Sequence, residues 1–390
     1  MKKTAILVLA ALVLAGLLAA CRAQTPDVTA EAPATGTPGT AEQPGGEATE
    51  EPADTAIPAT IVTATSQPAT TAPTTAPATT APTATPGQSG GAADAERLQF
   101  DPGATDEVVT GELAARETDS YVLRVLEGQF MEVAITPEAA AQLVVYGADG
   151  TVLRSGMGEG SMFRGVVPST QDYFVEVSAG SSPVDYTMSV IIPERITFGA
   201  GDTAAIMEGE LSARESHHYV VNAMAEQLME VSVDPAESVQ LIVYGVDGTV
   251  LRSGMGEGSF WRGELPSTQD YIVKVSAGAQ AVSDYSLSVL IPARITFDAG
   301  EISAEVSGEL GETDEVFYVI RAMAGQTMQV DVTPDDALQT AIYGVDGSVM
   351  KSGMGGGPDY TGELTISQDY IIMLRTGPKA SDYEMVITIE

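Results

Sequence analysis

The chain has 390 residues, and its 54 acidic side chains against 18 basic ones give a formal net charge of −36. That length allows several domains, and that charge excludes a grip on nucleic acid, because polyanion would meet polyanion. One cysteine in the whole chain excludes an internal disulfide and a cysteine-built metal cluster, and two histidines are too few for a histidine zinc site.

Lys2 and Lys3 precede an uncharged apolar run over 5–20, and a polar stretch follows. A charged start and a short apolar core form the pattern of an export signal; a spanning helix needs about 20 residues. The run ends in Leu18-Ala19-Ala20-Cys21, and Cys21 is the single cysteine. This resembles the bacterial lipobox. The resemblance implies removal of residues 1–20, lipidation of Cys21 and anchoring to the cell membrane on its extracytoplasmic side. An ordinary signal peptide, or an uncleaved anchor with an incidental cysteine, is the alternative.

Residues 21–97 are dominated by Thr, Ala, Pro, Gly and Glu, as in "QPATTAPTTAPATTAPTATPG". Such a stretch buries too little apolar area to offset the entropy of ordering it, so it reads as a disordered Thr/Pro/Ala-rich stalk. Its prolines favour an extended form of about 3.1 Å per residue. Threonines beside prolines fit an O-glycosylated spacer as well as a bare one.

A long repeat follows. "TVLRSGMGEGS" stands at 151–161 and again at 249–259, with "SVMKSGMGGGP" at 348–358. "STQDY" at 169–173 recurs at 267–271 and as "ISQDY" at 366–370. A period of about 98 residues is a small domain, not a solenoid unit. Domains are placed at 98–193, 194–292 and 293–390, joined by short proline-containing links such as "IIPERITF" and "IPARITF".

Inside each repeat the apolar period is two. Met229, Val231 and Val233 alternate with Glu230, Ser232 and Asp234, and Tyr285, Leu287 and Val289 with Ser286 and Ser288. Alternation of this kind predicts half-buried antiparallel strands. Asp149-Gly150, Asp247-Gly248 and Asp346-Gly347 lie between strand-like runs and suggest two-residue type I′ hairpins. The expected fold is all-β: three tandem antiparallel β-sandwich, jelly-roll-like domains behind the disordered linker.

The order of motifs carries a second resemblance. Each repeat has a Tyr-Val strand (Tyr121, Tyr219, Tyr318), a strand such as "GQFMEV", a strand ending in "DG", and an aromatic-x-Gly (Phe163, Trp261, Tyr360). "QDY" and "DY" strands then close it. This looks like the bacterial pre-peptidase C-terminal domain, with "QDY" where that family has "GDY". The resemblance implies secreted accessory modules that are not enzymes themselves. The same pattern also resembles periplasmic inhibitors of lysozymes.

His217-His218 is expected in a solvated turn before a strand at Tyr219, since the matching residues are Asp119-Ser120 and Val316-Phe317. The "SGMGEG" glycines lack the following helix of a phosphate loop and read as a loop between strands. Met157, Met255 and Met354 in that loop are expected to pack inward, exposed contact points being the alternative. The lone "DG" turns read as hairpins rather than calcium sites, and neither metal nor cofactor is expected. The candidate ligand-binding set is Arg154, Phe163 and Arg164, with Arg252, Phe260, Trp261 and Arg262, then Lys351 and Tyr360. A planar aromatic beside a guanidinium can stack on a sugar ring or anchor a protein contact, and it can equally fill the sandwich edge. Two functions stand open: a surface-anchored lipoprotein displaying non-catalytic modules that bind envelope or extracellular glycan or protein, and an envelope-anchored inhibitor of a lysozyme or protease. A structural spacer is the remaining possibility.

Overall fold

The computed structural model describes residues 94–137, 141–156, 160–254, 258–353 and 357–390. The export signal, Cys21, nearly all of the stalk, and the loop methionines Met157, Met255 and Met354 lie outside the described residues. Every regular element among the described residues is a β-strand, and no helix is long and apolar enough to cross a membrane.

The first repeat builds nine strands: β1 (Glu96–Arg97), β2 (Asp106–Leu113), β3 (Thr118–Val125), β4 (Phe130–Thr136), β5 (Ala141–Gly147), β6 (Val152–Arg154), β7 (Met162–Val166), β8 (Gln171–Ala179) and β9 (Val184–Ile191). One sheet runs β1-β3-β8-β5-β6 and the other β2-β9-β4-β7. All pairings are antiparallel except the short β1 against β3. The second repeat copies the set from Glu194–Arg195 to Val282–Leu290, and the third from Ala293–Arg294 to Ser381–Ile389. The protein is thus three tandem β-sandwiches, each with its own core. The described residues fall into two compact units, one holding the first two repeats up to Pro292 and the other Ala293–Glu390.

Period-two burial produces the sandwich. On β8, Tyr173, Val175 and Val177 are fully buried, and on β9 Tyr186, Met188 and Val190 face them from the other sheet. The repeated motifs each hold a joint of this frame. The Asp of "QDY" pairs with the arginine that opens the repeat: Arg97–Asp172 at 2.7 Å, Arg195–Asp270 at 2.8 Å and Arg294–Asp369 at 2.6 Å. Its Tyr donates to a carbonyl four residues back, Tyr173 to Ser169 at 2.9 Å and Tyr271 to Ser267 at 2.6 Å, which pins the strand entry. The Tyr of "DY" lies across a glycine on the neighbouring strand. Gly111 faces Tyr186 in register, and a Cβ there would come within 2.5 Å of the ring. The aromatic thereby covers backbone that glycine leaves bare.

The "DG" turns differ from the expected hairpin. Only the glycines take positive φ, 86° at Gly150 and 91° at Gly248, while the preceding aspartates do not. Gly150 N–H donates to Gly147 O, and Gly147 N–H to Thr151 O, with a register shift beside Tyr146. This is a three-residue loop, a type I turn closed by a left-handed glycine. The aspartate side chain explains the preference: Asp149 Oδ1 accepts from Thr151 N–H at 2.9 Å, a bond that Asp makes from an ordinary αR conformation.

The third core has one flaw. Thr340 occupies the position of Leu143 and Leu241, is fully buried, and its hydroxyl finds no partner. Thr340→Val is expected to stabilise the third repeat by about 1 kcal/mol, by removing an unsatisfied buried hydroxyl at constant shape. A denaturant midpoint that falls instead would show that the hydroxyl is satisfied in solution.

Candidate functional site

The proposed ligand-binding arginines are turned inward. Arg154 is 6% exposed; its guanidinium donates to Met162 O at 2.5 Å and to Gly160 O. Arg252, 5% exposed, donates to Leu241 O at 2.9 Å, Phe260 O at 2.6 Å and Gly258 O. Each guanidinium fork ties the far end of the glycine-rich loop to the strands beside it. These two arginines are thus turned away from the surface position that the sequence suggested; backbone carbonyls at the loop end and on the flanking strands take their Nη donors. Lys351 takes the position in the third repeat and is half-buried. An ammonium is a point donor and lacks the fork.

Arg164 and Arg262 are also engaged. They stand directly across the ladder from Glu132 and Glu230. Arg164 Nε lies 2.8 Å from Glu132 Oε2, and Arg262 Nη2 lies 2.6 Å from Glu230 Oε2. Burial pushes the Glu230 carboxyl up while Arg262 pulls it down, and burial prevails. The third repeat has Gln329 opposite Thr361 in the same register, a neutral pair.

Of the aromatics, Phe163, Trp261 and Tyr360 are half-buried and pack against the cores. Each ring folds back over the glycine two residues on, and a Cβ on Gly263 would stand 2.9 Å from the Trp261 ring. The aromatic-x-Gly motif is thus the same covering device within one strand. Trp261→Ala is expected to lower the stability of the second repeat by about 2–3 kcal/mol, less than the loss for a fully buried aromatic. An unchanged melting transition would place the ring outside the core. Phe260 alone in the set keeps an exposed face, 36%, and carries Arg262 5.1 Å from its ring centroid.

The histidines are not in a turn. Both lie in the strand Ser216–Ala223, with His218 only 1% exposed. Alternation places them on opposite faces. His217 Nδ1 is 2.7 Å from the Tyr285 hydroxyl, which is 2.5 Å from the Tyr219 hydroxyl, and His217 Nε2 is 3.6 Å from Glu215 Oε1. The same tyrosine pair recurs as Tyr121–Tyr186, where Tyr186 donates to Asp119, and as Tyr318–Tyr383. Desolvation, reinforced by these bonds, drives the Tyr285 and Tyr186 phenols far up. Phenols so held are poor nucleophiles. This group escaped sequence reading, although the "DY" motif and the histidine pair both mark it.

His217 and Tyr219 line a groove of about 680 Å³ within the first unit, with Glu208, Glu210 and Glu215 beside them and Pro102 and Thr105 of the first repeat opposite. Below it the first two repeats join. Phe130 packs on Val220 and Ile272, flanked by Tyr244 and Val246. Arg164 reaches across to lie 5.3 Å from the Tyr244 ring centroid. Thr105 Oγ1 accepts from His218 N–H at 2.7 Å and meets His218 Nδ1 at 3.2 Å. Among the described residues no group of three His, Cys, Asp or Glu side chains is arranged to hold a metal ion.

No protein-family model matches the chain. No curated protein matches it either. Among solved structures, it is similar to the Aeromonas hydrophila PliG, a periplasmic inhibitor of g-type lysozyme, with 21% identity and a TM-score of 0.23 over 25% of this chain and 96% of that one. The Salmonella Typhimurium PliG has 25% identity and a TM-score of 0.22, over 25% and 97%. A Sulfolobus turreted icosahedral virus structure has 10% identity and a TM-score of 0.17, over 71% and 84%.

Proposed function

We propose that this chain is an extracytoplasmic, non-catalytic display protein, anchored through a lipid on Cys21, whose sandwich repeats bind a protein ligand in the manner of accessory modules. One observation carries the choice of protein over glycan. The arginines and most aromatics suited to a sugar are consumed inside the repeats, whereas each repeat exposes an apolar side chain at the same turn: Leu126, Met224 and Met323, at 39%, 56% and 54%. Three equivalent apolar points on a strongly acidic surface favour a protein face, and their repetition on one chain raises avidity.

Lysozyme or protease inhibition is the second reading, supported by the sequence resemblance to periplasmic lysozyme inhibitors. One experiment separates the readings. The full chain is incubated with purified peptidoglycan, with a panel of hydrolases that includes a g-type lysozyme, and with an envelope protein extract. The display reading expects proteins retained by the chain and lost from a Leu126→Ser/Met224→Ser/Met323→Ser variant, with hydrolase rates unchanged. Slowed hydrolysis selects inhibition, and retention on peptidoglycan equal in chain and variant refutes the protein-binding reading.

A further inference from the structure

The joint between the first two repeats holds a titratable group that the display function does not use. His218 is enclosed where Thr105 and Asp106 of the first repeat meet the strand Ser216–Ala223 of the second. Its Nδ1 faces Thr105 Oγ1 at 3.2 Å and Asp106 Oδ1 at 3.7 Å, and its Nε2 has no hydrogen-bond partner. The groups around it are poorly matched to a cation. Lys274 is its direct cross-strand partner, and His217 is its neighbour along the strand. Asp106 is the facing anion, with Glu215 close to that carboxylate, while Glu132 and Arg164 pair at the far side of the joint.

We propose that this joint is an acid-released clasp: with neutral His218 the first two repeats are locked together, and protonation of His218 separates them. A buried imidazolium would sit beside Lys274 with an unsatisfied Nε2–H, so the closed joint rejects the proton that the open joint accepts. Release exposes Phe130, Val220 and Ile272, which are buried in the closed joint, and so presents a new apolar face in acid. The repeats carry their own controls, because the matching residues are Ser120 in the first and Phe317 in the third.

The energetics agree in sign. Burial, then the charges of Lys274 and His217, hold the His218 imidazole down at about 3, against an ordinary value of 6.5. A depressed imidazole stabilises the closed form fully above about 6.5, and that contribution is lost as pH falls towards 3. Opening should approach a tenfold rise per pH unit inside that window, roughly 150-fold in all between pH 6.5 and 4. Burial raises Asp106 as well, so its carboxyl holds a proton more tightly in the closed joint and opposes opening in acid, which makes the His218 effect an upper limit.

The test is site-resolved amide exchange on the full chain, corrected for intrinsic rates, at pH 7.5 and 4. The amide of residue 218 is the reporter, because it donates across the joint to Thr105 Oγ1. The wild-type amide is expected to lose at least 100-fold of its protection at pH 4, while the amide of Phe317 keeps its own. His218→Phe, and His218→Gln as a second variant that keeps a hydrogen-bonding side chain, are expected to leave residue 218 protected at both pH values. Calorimetry supplies a readout independent of exchange: the first two repeats should melt together at pH 7.5 and separately at pH 4 in the wild type only. A wild-type joint that stays closed at pH 4, or variants that open along the same acid curve, overturns the clasp.

Discussion

Glu230→Leu should destabilise the second repeat by about 3–5 kcal/mol, the loss expected when one partner of a buried ion pair is removed. Arg262 lies 2.6 Å from Glu230, and both side chains are nearly buried, at 4% and 7% exposure. Without the carboxylate, the guanidinium remains desolvated and loses its ion-pair partner. The pair itself need not contribute much, because taking both charges out of water offsets most of their attraction. The third repeat makes that point in its own sequence, with Gln329 across from Thr361 in the same register. The double variant Glu230→Gln/Arg262→Thr is therefore expected to recover most of the loss. Chemical denaturation of both variants, following the second repeat through Trp261 fluorescence, decides it. A single variant as stable as the wild type would mean that water reaches Arg262.

Arg252→Ala should cost about 3–4 kcal/mol, for a different reason. Three carbonyls, of Leu241, Gly258 and Phe260, converge on one guanidinium. Truncation strips donors from all of them at once, and an unsatisfied buried acceptor costs about 1–3 kcal/mol, partly recovered by water entering the hole. Arg252→Lys should restore less than half, since one ammonium cannot span three acceptors set in a fork. The Gly258 and Phe260 carbonyls would lose their tether, so proteolysis beside Gly258 should accelerate along with the fall in denaturant midpoint. Full rescue by lysine would show that the charge, not the fork, holds the loop.

Much of the fold was legible because period-two burial is a local property. Met229, Val231 and Val233 must share one face of a strand whatever surrounds them, and threefold repetition of the pattern marks a self-sufficient module each time. The site was less legible. Arg154 and Arg164 have the composition of a binding patch, and nothing in residue type says which way a guanidinium turns. That depends on carbonyls six and eight residues further on for Arg154, and on a carboxylate across the ladder for Arg164. Tyr219 and Tyr285 are 66 residues apart and meet only because their strands lie in opposed sheets.

By itself, then, the sequence determined the strands, their inward faces, the module length and the anionic surface, since each follows from the order and type of neighbouring residues. Tertiary structure alone decided that the arginines are loop tethers and cross-strand partners, that the "DG" turns need one left-handed glycine, and that His218 closes a joint rather than a turn. Those outcomes rest on groups brought together from distant positions, where burial removes water as a competitor and leaves each polar atom dependent on whichever partner the packing supplies.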